Sequence, residues 1–227
     1  MTLDPSASEV QHIRQRSRHV PAIHTACGPP SSHGVEPVQL HLATAGVDQL
    51  GQPDLVDAHY RRALAYGKKG DYDQAIVGYQ EVIRRQPDYA DAYNGRGLAY
   101  TVAGQADKAL ADFTEALRLE PDFAEAFNGR GLAYAAKLEF DKAIIEYGKA
   151  IRLKPDFALA YWNRGNVHSL MGEQNKAIAD FTKAIQIKPK YAEAYSNRGK
   201  AYSAMGDSAQ AKKDFQRAEE LGFKPPK

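Results

Sequence analysis

The sequence predicts an all-α repeat protein of five two-helix units that follow an N-terminal tail. Three observations predict it: proline recurs every 34 residues, alanine keeps one place within that period, and all aromatic residues lie after residue 55. The recurring prolines are Pro87, Pro121, Pro155 and Pro189. With this proline as position 32, the units are 56–89, 90–123, 124–157, 158–191 and 192–225.

The first 55 residues have few of the residue types that build a core. They contain no aromatic residue, and prolines interrupt every stretch. Such a segment cannot bury enough apolar area to offset the entropy lost on ordering. We therefore expect residues 1–55 to form a disordered or weakly ordered tail, in which Val35–Leu50 is the candidate for a short helix.

Composition and motifs exclude several classes of function. The net charge is only +2, from 30 basic and 28 acidic residues, which argues against nucleic-acid binding by bulk charge. The tail histidines and Cys27 have no zinc-ligand spacing, so we expect no metal and no cofactor. No catalytic constellation or phosphate loop is present, and we expect no enzyme activity. The absence of a convincing signal peptide or apolar span predicts a cytoplasmic protein without a membrane segment.

Small and aromatic residues recur at helical spacing within each unit. Positions 4, 8 and 11 share one helix face, as do positions 20, 24 and 27. Position 8 is glycine or alanine, which lets two helix backbones approach closely. Position 20 is Ala75, Ala109, Ala143, Ala177 and Ala211, and position 24 is Tyr79, Phe113, Tyr147, Phe181 and Phe215.

The turns within and between the units have their own signals. Glycine at position 15 suits a left-handed helix C-cap, with Leu138 as the exception. The acids at position 18, such as Asp73 and Asp107, suit the N-cap of the second helix. Proline at position 32 ends that helix. Each unit is therefore predicted to run helix, turn, helix, turn.

These residues resemble the tetratricopeptide repeat (TPR) over residues 56–225. The resemblance implies a right-handed α-solenoid of antiparallel helix pairs, whose first helices line a concave face that binds a peptide or protein. One departure recurs, because position 7 is arginine where the family usually has leucine. These arginines are Arg62, Arg96, Arg130, Arg164 and Arg198.

The fifth unit differs from the others where a following unit would pack. Aliphatic residues at positions 21, 22 and 28 become Lys212, Lys213 and Glu219. A solenoid must end on a polar face, so we expect the fifth unit to act as the polar cap of a complete domain. The N-terminal end shows no such device.

The arginines at position 7 and the acids at position 23 predict a ladder of structural ion pairs. Its members are Arg96, Arg130, Arg164 and Arg198 with Asp112, Glu146, Asp180 and Asp214. Arg62 lacks this partner because Gly78 stands at position 23 of the first unit. The alternative is that the arginines form a basic stripe for an anionic ligand. We favour the ladder, since buried charges need partners.

The concave face supplies the candidate peptide-binding residues. They are Asn94, Asn128, Trp162, Asn163, Asn166 and Asn197, at positions 5, 6 and 9. An asparagine amide can pair with both polar groups of a peptide backbone, although ordinary surface asparagines would give the same pattern. Trp162 is either an exposed binding anchor or packs across to a neighbouring first helix. Acids at position 2 and missing lysines argue against binding of acidic chaperone tails.

The favoured function is therefore a non-catalytic interaction module or scaffold that binds a protein or peptide of unknown identity. The alternative is a structural solenoid that forms homo-oligomers through its N-terminal end. The charged last helix argues against stacking through the C-terminus. We expect no nucleic-acid and no membrane partner, since residues 56–227 lack the basic excess of helical RNA-reading repeats.

Overall fold

A computed structural model describes residues 52–223, with side chains from Leu55 onward. The expectations for residues 1–51, including the Val35–Leu50 helix, Cys27 and the tail histidines, lie outside these residues. The described part contains ten helices. They are α1 (Gln52–Lys69), α2 (Tyr72–Arg85), α3 (Ala90–Val102), α4 (Ala106–Leu119), α5 (Ala124–Ala136), α6 (Phe140–Leu153), α7 (Ala158–Leu170), α8 (Gln174–Ile187), α9 (Ala192–Ala204) and α10 (Ser208–Glu220).

The ten helices stack as five pairs, which confirms the predicted all-α solenoid. The first helix of each pair packs on its second, and each second helix packs on the first helix of the next pair. The first helices of neighbouring pairs also contact one another, whereas neighbouring second helices make no contact of comparable extent within residues 52–223. The first helices therefore line the inner side of the stack.

Helix α1 begins at Gln52, inside the segment that we expected to belong to the tail. The repeat register places the first unit at residue 56, and Pro53 is one of the prolines that interrupt the preceding segment. Proline is compatible with the first turn of a helix, where its missing N–H has no intrahelical partner and its fixed φ suits helical geometry. The solenoid therefore starts four residues before position 1 of the first unit.

The turn within each unit ends on a residue in the left-handed conformation. Gly70, Gly104, Gly172 and Gly206 have φ of 72–86°. In the third unit Leu138 has φ of 63°, the single non-glycine residue with positive φ among the described residues. This conformation costs an L-residue about 1–2 kcal/mol, so Leu138 stores local strain.

The N-caps of the second helices lie at position 16, which corrects the prediction of position 18. The Asp71 and Asp207 side chains accept hydrogen bonds from the N–H groups of Gln74 and Gln210, at 3.2 and 3.0 Å. The acid at position 18 lies instead in the first helical turn, where Asp73 faces the positive end of the helix dipole. The residue that follows the left-handed residue is already the cap, so the helix starts two residues earlier than predicted.

The core is built from the aromatic ring at position 24 and the small residue at position 8. Tyr79, Phe113, Tyr147 and Phe181 are at most 3% exposed. Each ring after the first lies against a glycine of its own unit, and a Cβ on Gly97, Gly131, Gly165 or Gly199 would lie 2.7–2.9 Å from that ring. Only glycine fits this contact without a shift of the ring, which explains the small residue.

Candidate functional site

The structure places all four arginines of the predicted ladder beside their predicted acids. Arg96 Nε and Nη2 donate to Asp112 Oδ2 and Oδ1 at 2.8 and 2.7 Å. Arg164 holds Asp180 in the same two-pronged geometry, and Arg198 holds Asp214 at 2.8 Å on both prongs. Arg130 donates to Glu146, whose other oxygen accepts from Lys149 at 2.7 Å. All four acids are buried.

An aromatic ring at position 4 lies against the guanidinium of each ladder arginine. The ring centroids of Tyr93, Phe127, Tyr161 and Tyr195 lie 5.4–5.7 Å from the Cζ atom of the arginine in the same unit. A cation over an aromatic face is stabilised by the negative face of the ring. The hydrogen bond to the acid raises the pKa of Arg96, Arg164 and Arg198. Because the aromatic ring and the carboxylate both contact the guanidinium, this geometry favours the structural ladder over an anion-binding stripe.

Arg62 differs from the ladder arginines because the first unit has alanine instead of glycine at position 8 and glycine instead of an acid at position 23. Ala63 stands at position 8 and Gly78 at position 23, and a Cβ on Gly78 would lie 2.8 Å from the Ala63 Cβ. The Ala63 methyl therefore excludes an acid at position 23. Arg62 is exposed, and its Nη2 is 3.0 Å from His59 Nδ1.

Four of the six candidate peptide-binding residues pair with one another. Asn163 Nδ2 donates to Asn128 Oδ1 at 2.9 Å, and both residues are only 4% exposed. Asn197 Nδ2 donates to Asn166 Oδ1 at 2.7 Å, and these two residues are partly exposed. Both bonds join neighbouring units. The expected open row of amides is therefore wrong for Asn128 and Asn163, whose side chains link units within the core.

Trp162 packs in the core, which is the second of the two alternatives that the sequence left open and removes Trp162 from the candidate peptide-binding residues. The residue is 7% exposed, and its ring centroid lies 5.8 Å from that of Tyr191 at an interplanar angle of 35°. Tyr191 precedes α9, so the indole packs across to the start of the next first helix. Tyr60 meets Tyr89 in the same way in the first unit, with centroids 5.1 Å apart.

These ring pairs follow a correlation between repeat positions 5 and 34 in the sequence. Where position 5 is aromatic, in Tyr60 and Trp162, position 34 is tyrosine, in Tyr89 and Tyr191. Where position 5 is asparagine, in the second and third units, position 34 is phenylalanine. The two positions lie 29 residues apart within a unit, and comparison of the units would have predicted that they contact each other.

The inner surface that stays accessible is divided by chemistry. In the first three units, Leu64, Leu98, Asp91 and Glu125 are partly exposed beside the partly exposed Asn94. Burial and the nearby charge of Glu125 raise the pKa of Asp91. Toward the C-terminal end, the accessible groups include the Asn166–Asn197 pair, the partly exposed Glu193 and the exposed Lys200. The inner surface thus carries acids and leucines at one end, where Arg61 pairs with Asp57 at 2.8 Å, and amides, Glu193 and Lys200 at the other.

Neither a membrane span nor a metal cluster is found in the part of the chain that the structure describes. Between residues 52 and 223, no helix is both long and apolar enough to cross a bilayer. Over the same residues, histidine, cysteine and acidic side chains form no group of three that could hold a metal ion.

The helix pairs and their small-residue contacts define a tandem helical repeat protein. Family models described as tetratricopeptide repeat match residues 56–89, 90–123 and 192–221, and one described as TPR repeat matches 139–172 and 170–206. The chain therefore belongs to the tetratricopeptide repeat family. Proteins of this family are in general non-catalytic interaction modules.

Solved structures agree with this assignment. A crystal structure of MamA is 32% identical and has a TM-score of 0.61, with 70% of this chain and 94% of that chain covered. A thermophilic TPR protein of Thermus thermophilus (22% identity, TM-score 0.67, 75% and 93% covered) and Pseudomonas aeruginosa PilF (18%, 0.70, 77% and 80%) share the fold. A search of curated proteins found no match. Fold and relatives together support a protein-interaction scaffold.

The ladder makes a prediction about stability. Arg96→Met should lower the free energy of unfolding by about 3 kcal/mol, because it leaves the buried Asp112 without its counter-charge. Adding Asp112→Leu should restore most of the loss, as apolar residues replace the whole pair. The control is Arg118→Met, which breaks an exposed pair with Glu115 and should cost less than about 1 kcal/mol. Equal losses in Arg96→Met and Arg118→Met, measured by urea unfolding, would contradict the ladder.

The position of Trp162 makes a second prediction. Trp162→Ala should lower the unfolding free energy by about 3–5 kcal/mol, because it empties a buried site between two units. Trp162→Phe keeps a ring against Tyr191 and should lose less than half of that amount. Thermal and urea unfolding measure both variants. An unchanged unfolding midpoint in Trp162→Ala would show that the indole is exposed in solution.

Proposed function

We propose that this protein is a non-catalytic scaffold that binds an extended segment of a partner protein on the inner surface of its solenoid. The observation that carries the proposal is the convergence of the first helices on one side of the stack. That side presents carboxylates, amides and leucines that are partly exposed. Such a mixture suits a peptide backbone that carries both apolar and charged side chains.

The candidate residues take two different roles in this proposal. Asn166 and Asn197 are partly exposed and can meet a ligand directly. Asn94 is also partly exposed, but its Oδ1 atom is buried and has no hydrogen-bond partner among the described residues, so this oxygen does not face a ligand. Asn128, Asn163 and Trp162 are buried and instead hold neighbouring units in register. The rigid register matters for binding, because a preformed surface loses less conformational entropy when the partner docks.

The charges of the inner surface give the partner a direction. Asp91 and Glu125 favour basic side chains against the first three units, whereas the fifth unit presents one charge of each sign, Glu193 and Lys200. Glu125 already meets Lys154 at 2.8 Å, so Asp91 is the stronger candidate for a partner cation. The same charges disfavour a uniformly acidic tail. The cytoplasmic location stays a prediction from the sequence.

Affinity capture from the source organism tests the proposal. The bait Asp91→Ala with Asn94→Ala removes a carboxylate and an amide from the inner surface. The matched control, Asp141→Ala with Asn175→Ala, removes the same two groups at position 18 of the second helices, where both side chains are exposed. We expect the inner variant to recover at least about tenfold less partner than the wild type, a loss of about 1.4 kcal/mol in binding, and the control to recover the wild-type amount.

Two outcomes would count against the proposal. Equal recovery of the same proteins by the inner variant and the wild type would exclude this part of the inner surface. Equal loss in both variants would point to the second helices or to general destabilisation, which circular dichroism of each bait distinguishes.

A further inference from the structure

A cleft of about 450 Å³ lies open at the C-terminal end of the solenoid, between α9 and α10. No element of residues 52–223 covers it. Its walls combine small, aromatic and charged side chains. They are Ser203, Ser208, Ala211, Lys212, Phe215, Gln216 and Glu219.

The other units show what kind of element fills this place. Phe113 is fully buried because α5 of the next unit crosses it, and a Cβ on Gly129 would lie 2.4 Å from its ring. Gly95 of α3 crosses Tyr79 at the same distance. Phe215 is the equivalent ring at the open end, and it is only partly buried. The cleft is therefore shaped for the first helix of a repeat unit.

The outer face of α1 has the residues that such a helix presents. Ala58 and Ala65, at positions 3 and 10, lie on one helix face and are exposed. Their equivalents in the later units are at most 4% exposed, because the preceding unit covers them. These equivalents are Ala92, Ala126, Ala160 and Ala194 at position 3, and Ala99, Ala133, Val167 and Ala201 at position 10.

One pair of charges, Arg62 and Glu219, is complementary between the two ends, whereas Lys212 of the cleft has the same sign as Arg62. Within the solenoid, Arg198 Nη1 donates to Thr182 Oγ1 of the preceding unit at 3.0 Å. The equivalent arginine of the first unit is Arg62, and the equivalent of Thr182 at the open end is Gln216. Glu219 follows Gln216 by three residues on α10, so an acid lies one helical turn away. Arg62 has no acid at position 23 of its own unit and is exposed.

We propose that the cleft binds α1 of a second copy of this chain, so that copies associate head to tail. Arg62 of one copy then lies against Gln216 and Glu219 of the next. Position 6, where Gly95 and Gly129 cross the internal rings, is Arg61 in α1, so the stem of Arg61 lies over Phe215 with Ala58 and Ala65 beside it. Asn163 and Asn197 at the same position show that this contact also accepts residues other than glycine. Head-to-tail association departs from the expectation that the charged last helix disfavours stacking through the C-terminal end, because the cleft leaves Phe215 only partly buried there. Lys212 and Glu219 replace aliphatic residues of the internal interfaces, so the contact is weaker than those interfaces and reversible. The two surfaces differ, and a head-to-tail contact that does not close gives chains of variable length.

Charge reversal of each end tests the contact with the full chain. Arg62→Glu places an acid opposite Glu219, and Glu219→Arg places a base opposite Arg62. In sedimentation equilibrium over a concentration series, we expect the wild type to exceed the monomer mass and each variant alone to associate at least about tenfold more weakly. An equimolar mixture of the two variants has opposite charges at every contact, so we expect it to associate like the wild type.

Association can recover in the mixture only if the N-terminal end of one variant contacts the C-terminal end of the other. Variants that had lost their fold would not regain association on mixing. A wild type that stays monomeric at every concentration would overturn the proposal. Variants that associate as strongly as the wild type, or a mixture that stays monomeric, would also overturn it. In particular, a monomer that becomes oligomeric only after removal of residues 224–227 would show that the chain's own end occupies the cleft.

Discussion

The close approach of the two helices within each unit is the constraint on which the rest of the structure depends. Glycine at position 8 lets the ring at position 24 lie directly against the backbone of the first helix. The same approach brings position 7 beside position 23, so that Arg164 reaches Asp180 at 2.7–2.8 Å. A Cβ on Gly165 would lie 3.2 Å from the Asp180 Cβ and 2.8 Å from Phe181. Core packing and ion pairing therefore share one geometric cause.

In the first unit, the close approach of the two helices is achieved with a different pair of small residues. Ala63 fills the space that faces Gly78, so the two helices still approach closely although the acid is lost. The loss leaves Arg62 outside the ladder, and its Nη2 lies 3.0 Å from His59 Nδ1. A packing change in the core of one unit thus alters the charge that the protein presents at its N-terminal end, where a partner or a second copy would meet it.

The sequence predicted the fold and the ladder because both depend on residue types that recur within one period. It misplaced the N-caps by two residues, because the choice between positions 16 and 18 depends on backbone geometry after the left-handed residue. It also did not predict that Asn128 and Asn163 pair with each other. That pairing joins position 5 of one unit to position 6 of the next, and a pattern read within single units does not show it. The burial of Trp162 has a similar cause, since Tyr191 covers it from the start of the next first helix.

Positions 8 and 23 share one space in each unit, and a double-mutant cycle in the first unit tests this constraint most directly. Gly78→Asp alone should destabilise the protein, since its Cβ would lie 2.8 Å from the Ala63 Cβ. Ala63→Gly alone should cost about 1 kcal/mol, as glycine does within a helix. The double mutant rebuilds the ladder geometry around Arg62. Its loss of unfolding free energy should therefore be smaller than the sum of the two single losses by at least about 1 kcal/mol. Additive single effects would contradict the account.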